Sequence, residues 1–276
     1  MNFILANCKH GQRKIGVEYA PTIIYNSLLK NVYKKDLTNN VYIKDTLFRN
    51  ERGYNKIYNE YNNFNNVNNN PVITLGGDHS VSIGSCQAFI DKYKEDAHIV
   101  WVDAHTDINT QETSITGNIH GMVVSQLMGL DKSLIKNKQY DLKPDQITYL
   151  GPRSIDLKEQ EILDKYNIKV YSSQDIKNLG VFYILQEIQN KLYNKKIHIS
   201  FDLDVFDSYY VKSTGTPVNY GLNLWEIHSI LKYICINNSV ESCDFVEYNP
   251  LISDKEEIEK SLLNLEISIN TLIKYI

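Results

Sequence analysis

The stretch HIVWVDAHTDIN, residues 98–109, decides how the chain is read. Its first half is a run of apolar and β-branched residues of strand type. Its second half sets Asp103, His105 and Asp107 at every second position. Alternate side chains share one side of an extended backbone, so two carboxylates and an imidazole leave the end of a predicted strand together. A soluble core has no use for such a group unless something cationic neutralises it.

Similar runs lie on both sides of this one. VITLGG (from Val72), QITYLG (from Gln146), KVYSS (from Lys169), HISFDLD (from His198) and SCDFVEYNP (from Ser242) have strand character. Stretches of helical period separate them: Ser80–Tyr93, Ile119–Leu130, Leu157–Tyr166, Phe182–Leu192, Asn223–Ile236 and Lys255–Ile276. Strands alternating with helices predict an α/β fold, a doubly wound, mostly parallel sheet in three α/β/α layers. NFILAN near the start and VYIKDTLF (from Val41) are candidates for two further strands. YNKIYNEYNNFNNVNNN, Tyr54 to Asn70, predicts a polar helix fraying into an Asn-rich loop at about 62–70. No internal repeat or linker interrupts the pattern, so residues 1–276 are expected to form a single domain.

Composition narrows the class of partner. The 276 residues are 42% hydrophobic and 22% charged, an ordinary globular balance with ample core. A net charge of −4 without a basic patch gives no electrostatic case for nucleic acid or an anionic membrane. No run approaches the ~18 apolar residues of a membrane span, and the apolar part of MNFILANCKHGQRKIG is too short for a secretory signal. Cys8, Cys86, Cys235 and Cys243 contain no C-x-x-C pair and are expected to be buried, reduced thiols. A cytoplasmic protein follows from these readings.

In doubly wound sheets, ligands gather beyond the carboxyl ends of the strands. The residues there are Asp78 and His79; Asp103, His105 and Asp107; Arg153; Asp202 and Asp204; and Glu247. Four carboxylates brought together without a cation would repel and protonate. His79, Asp103, His105, Asp107, Asp202 and Asp204 offer nitrogen and oxygen ligands suited to manganese, iron, cobalt or zinc. They exceed what one catalytic ion takes, and two ions sharing carboxylates is the economical arrangement, one that activates water. His10, His98, His198 and His228 have no acidic partners at such spacing and read as structural. LGGDHS and YLGPRS lack G-x-G-x-x-G, and no Walker A sequence is present. Ser80 lacks the G-x-S-x-G elbow and reads as the N-cap of the following helix.

GGDHS (76–80), DAHTDIN (103–109), GNIHG (117–121), SFDLDVFD (200–207) and STGTP (213–217) together resemble the ureohydrolase superfamily, and within it the arginase family most closely. The likeness runs from GVEYAPTII at Gly16 to FVEYNPL at Phe245–Leu251. It implies two Mn2+ per chain on the six residues named above. It also implies hydrolysis of the L-arginine guanidinium to L-ornithine and urea by a metal-bridging hydroxide. Matched residue by residue, Asp107 would pass a proton to the leaving amine and His120 would shuttle protons. Glu247 and Thr216 would orient the guanidinium. Asn109 and Thr116 match positions that bind the α-carboxylate; Asp156, with Glu159 beyond it, matches the position that meets the α-ammonium.

The loop favours a guanidino acid over agmatine. An agmatinase or another guanidino-acid hydrolase is the alternative, and a catalytically weak binding or regulatory homologue is the alternative of another class. The resemblance further implies a homotrimer or another homo-oligomer. Three departures stand out: Ser154 replaces a common acidic residue, Val211–Lys212 replaces a Pro-containing loop, and Trp225 precedes Glu226 where the family's trimers often carry an Arg.

Overall fold

A computed structural model describes residues 1–31, 39–67 and 70–276. Among the described residues there are eight strands: β1 (Asn2–Ala6), β2 (Asn39–Ile43), β3 (Val72–Gly76), β4 (Ala97–Val102), β5 (Ile147–Gly151), β6 (Val170–Ser172), β7 (Lys196–Asp202) and β8 (Ser239–Val246). They form one sheet in the order β2-β1-β3-β8-β7-β4-β5-β6. Every neighbouring pair is parallel. Both tentative strands are present, so the sheet is parallel throughout its described ladder.

The inner strands are buried on both sides, which is why their sequences read as continuous apolar runs, whereas Tyr42 of the edge strand β2 is exposed. Phe3 and Leu5 of β1 point into one hydrophobic cluster, while Ile4 and Ala6 point into the other. Val100 and Val102 divide from Ile99 and Trp101 of β4 in the same way. One face is covered by α1 (Ala20–Asn31), α7 (Val181–Leu192), α8 (Leu224–Asn237) and α9 (Lys255–Tyr275). The other is covered by α2 (Arg52–Val67), α3 (Ser82–Tyr93), α4 (Val123–Leu127) and α5 (Leu157–Lys165). A short α6 (Ser173–Leu179) links β6 to α7.

Local chemistry sets the helix boundaries. Asp156 opens α5 by accepting from the Lys158 and Glu159 amides, and Glu159 reaches back to the Asp156 amide. Asn223 and Glu226 close the same reciprocal box on α8. In α7, Val181, Ile184, Leu185, Ile188 and Leu192 are buried at helical spacing, while Phe182 and Tyr183 are exposed.

Several sequence expectations change. Within the 62–70 stretch, helix α2 continues to Val67 instead of fraying; residues 68 and 69 lie outside the described residues. Tyr54, Ile57, Tyr58 and Tyr61 form a buried stripe, and Asn65 Nδ2 donates to the Tyr61 carbonyl at 3.0 Å, so packing overrides the weak propensity of Asn. The predicted helix Ile119–Leu130 shrinks to a 3-10 turn, Ile119–Met122, and the five-residue α4, ending before Gly129 at φ 71°. Helices α1 and α6 were not anticipated: α1 begins Ala-Pro-Thr-Ile-Ile, whose β-branched run does not advertise a helix. Ser80 is not a cap. It lies in a 3-10 turn, His79–Val81, that Asp78 caps by accepting from the Ser80 amide at 3.0 Å. The Ser80 hydroxyl turns back onto the same carboxylate, and α3 itself starts after Val81 without a side-chain cap.

Candidate active site

Strands β3, β8, β7 and β4 stand side by side, and their carboxyl ends carry the predicted ligands. His79 follows β3, Asp103, His105 and Asp107 follow β4, Asp202 ends β7 and Asp204 follows it. Sequence distance disappears at this edge: His79 Nδ1 lies 3.1 Å from Asp103 Oδ2, 3.1 Å from Asp107 Oδ2 and 3.0 Å from Asp202 Oδ2. A second group forms beside it, with His105 Nδ1 3.1 Å from Asp204 Oδ2 and 3.5 Å from Asp103 Oδ1. Asp103 thus offers one oxygen to each group.

This arrangement fits cations. His79 Nδ1 is buried without an aligned hydrogen-bond partner, although three carboxylate oxygens converge on it. Ligand atoms from His79, Asp103 and Asp107, and from Asp103, His105 and Asp204, cluster closely enough to share an ion. Left alone, the groups disturb one another. Burial, and then the Asp204 and Asp103 charges, push the Asp202 carboxyl well up. Burial and Asp103 push Asp107 up too. Burial opposes charge on His79, but the three aspartates outweigh it and hold the imidazole well above its ordinary range. A pair of dications would relieve the repulsion directly.

A second layer fixes the ligands. His79 Nε2 meets Ser200 Oγ at 2.8 Å, which orients Nδ1 toward the carboxylates. The His79 ring stacks on Trp101 at 4.4 Å, and Trp101 Nε1 donates to Asp103 Oδ2 at 3.0 Å. Asp107 adopts φ 48°, a conformation uncommon outside glycine and one that the surrounding contacts must hold. Thr216 Oγ1 donates to Asp204 Oδ2 at 3.0 Å. Arg153, noted at a strand end, is bonded elsewhere than to the two ligand groups. Its guanidinium donates to the carbonyls of Asp204, Val205, Phe206, Val218 and Asn219, tying the Asp204 turn to the loop beyond.

Above the ligands opens a cavity of about 330 Å³. His105, Asp107, Asp202 and Asp204 lie on its floor side, and His120, Thr216, Asn109, Thr116, Asp156 and Glu159 also line it. Asn109 Nδ2 donates to Asp156 Oδ2 at 2.9 Å. Burial pushes the Glu159 carboxyl up to about 7 although the Asp156 amide and Thr106 hydroxyl donate to it. Ser154, Ser114 and Ile115 complete the outer wall.

Glu247 lies behind this wall rather than on it. It has φ 67° and accepts from the His79 amide at 2.9 Å, while His120 Nδ1 lies 3.0 Å from its Oε1. Sequence reading missed Gln12, whose Nε2 donates to Glu247 Oε2 at 2.8 Å from a loop 235 residues away. It also misjudged His198, whose Nε2 lies 3.2 Å from Asp244 Oδ2 in the sheet interior, near Cys86. Its acidic partner comes from the neighbouring strand, so no local spacing could announce it.

The chain is similar in sequence and fold to known proteins. The Arginase family profile matches residues 3–269. Arginase of Plasmodium berghei is 40% identical over 196 residues, 68% of this chain and 55% of that protein, so the match spans about half of that relative. Arginase of Entamoeba histolytica is 32% identical over 274 residues, 92% of each chain. In three dimensions, the E. histolytica arginase structure in complex with L-ornithine superposes with a TM-score of 0.88 at 31% identity, over 99% of this chain and 97% of that one. Arginase from Bacillus subtilis gives 0.88 at 29% identity, with 97% of both chains covered. On fold, sequence and near-complete coverage, the chain belongs to the arginase family.

Proposed function

We propose that the chain hydrolyses L-arginine to L-ornithine and urea, using two manganese ions on His79, Asp103, His105, Asp107, Asp202 and Asp204. The observation that carries this reading is the pair of ligand groups sharing Asp103 beneath a cavity lined by His105, Asp107, Asp202 and Asp204. An oxygen-rich set with two imidazoles suits manganese. When bound, the ions neutralise the carboxylates and make water a nucleophile at neutral pH.

The chain's own residues do the rest. The acidic floor attracts the guanidinium, whose planar fork matches carboxylate geometry. Thr216, bonded to Asp204, and Glu247, acting through His120, set the orientation at that end. Asp107, raised by burial and Asp103, can take a proton and deliver it to the leaving amine. His120 holds Glu247 through Nδ1, which leaves Nε2 to exchange protons between cavity and solvent. Farther out, Asp156 receives the α-ammonium with Glu159 beyond it, and Asn109 and Thr116 address the α-carboxylate.

The reading extends to one cytoplasmic catalytic domain that assembles as a homotrimer. No described helix is long and apolar enough to cross a membrane. Trp225 is 60% exposed at the start of α8, with its ring 5.9 Å from that of the exposed Phe182 of the same chain. This apolar pair is offered to a second copy where an ion pair would otherwise serve. The deciding assay loads purified protein with manganese and follows urea release from L-arginine and agmatine, with metal content measured. Steady release from L-arginine at about two ions per chain is expected. Release from agmatine alone would reassign the substrate, and metal without turnover would make the chain a binding homologue.

A further inference from the structure

The segment between β1 and α1 runs beside the cavity, and four consecutive residues fasten it to different elements, with His120 and Thr116 of the cavity lining among the partners. The Gly11 amide donates to Asp78 Oδ2 at 2.8 Å, and its carbonyl accepts from the His120 amide at 3.1 Å. Gln12 reaches Glu247, as described. Arg13 Nη2 meets the Thr116 carbonyl at 3.4 Å, and Lys14 Nζ donates to the Gly215 carbonyl. The segment lies too close for adjustment at Gly11, where an added Cβ would fall 2.3 Å from Asp78 Oδ1.

Arg13 differs from its neighbours in how loosely it is held. Gln12 is half-buried, and Lys14, though exposed, makes a short bond to its carbonyl; Arg13 is exposed and its described contact is one long bond to a carbonyl. Among the described residues no carboxylate pairs with it. The nearby acids Asp156 and Glu159 are engaged by the α5 cap, Asn109 and Thr106. A guanidinium carries five donors in a rigid fork, and its natural complement is a carboxylate gripped through two parallel bonds. Thr116, which it touches, is part of the cavity wall.

We propose that Arg13 is a specificity-determining residue that swings onto the free carboxylate of a guanidino-acid substrate at the cavity mouth. The proposal rests on the arginine reading above and deepens it. With the guanidinium drawn to the acidic floor, the opposite end of the substrate emerges beside Thr116. There Arg13 attracts a carboxylate and repels a bare ammonium, so the same side chain favours L-arginine and disfavours agmatine.

The test uses the full manganese-loaded chain with L-arginine, agmatine and 4-guanidinobutanoate, which keeps a carboxylate and lacks the α-ammonium. In Arg13→Gln, the ratio of kcat/KM for L-arginine to that for agmatine should fall about tenfold, within the range of a lost charged hydrogen bond at an exposed site. The loss should sit in KM, 4-guanidinobutanoate should follow L-arginine, and Arg13→Lys should restore part of the ratio. An unchanged ratio, or an equal decline with all three substrates, would overturn the proposal. If the wild type releases no urea from L-arginine, the arginine reading itself fails, and calorimetric binding of L-ornithine against putrescine then decides the role of Arg13. Selective loss of L-ornithine affinity in Arg13→Gln upholds it, and unchanged affinity rejects it.

Discussion

His120 Nδ1 lies 3.0 Å from Glu247 Oε1, joining the loop after β4 to the end of β8. Burial opposes charge on the imidazole, but the Glu247 hydrogen bond and charge prevail and raise it to about 9. A folded-state value above the unfolded one, about 6.5 for His, stabilises the fold fully below that lower value. The contribution is lost as pH rises through about 9. In metal-free protein, the melting temperature should therefore decline across this window, and Glu247→Gln should flatten the decline. Loading a diamagnetic dication should pull the His120 titration down by like-charge repulsion, which NMR of the imidazole would follow.

His120→Asn keeps a polar group of similar reach but removes the titrating nitrogen. Urea release should slow by roughly 10²–10⁴-fold, the usual worth of a positioned acid–base group. Metal content should stay near that of the wild type. Equal loss of both would assign His120 a structural role.

Asp103 faces both ligand groups, so Asp103→Asn should lower manganese occupancy at both positions. Asp107 faces the His79 group, so Asp107→Asn should weaken mainly one. Elemental analysis after dialysis distinguishes these patterns; identical losses would remove the bridging role of Asp103.

Gly77 sits where β3 gives way to the His79 turn, and a Cβ there would lie 1.9 Å from the Cys8 carbonyl oxygen. That neighbour is backbone and cannot rotate away. Gly77→Ala should cost about 1–3 kcal/mol, as overpacking does, and urea denaturation would read the shift in midpoint.

Trp225→Ser should shift the assembly toward smaller species if the exposed Trp225–Phe182 pair lies in the contact between copies. Light scattering at several concentrations measures this. An unchanged mass would place the contact elsewhere.

The sheet and its floor were legible because their signals are local. HIVWVDAH announces a doubly buried strand and the first ligands within one short stretch, and GGDHS and SFDLDVFD repeat the pattern. What escaped was set by packing or by distant chain. Asn-rich α2 extends because Tyr61 and its neighbours are buried. Asp244 finds His198 across a strand boundary, and Gln12 finds Glu247 from the far end of the chain. No periodicity encodes a partner 235 residues away. Ser80 misled for the opposite reason: its identity suits a cap, but the Asp78 carboxylate two positions earlier takes that place.

The strand order has a consequence for how the chain comes into being. Strand β8 is the last in chain order, yet it lies between β3, which leads to His79, and β7, which leads to Asp202. A nascent chain emerging from the ribosome therefore carries all six ligands well before it can bring the His79 turn up to the others. The six candidate ligands can converge only after Ser239–Val246 has emerged and slotted into the gap. A chain stopped before β8 lacks the strand that joins the His79 turn to Asp202.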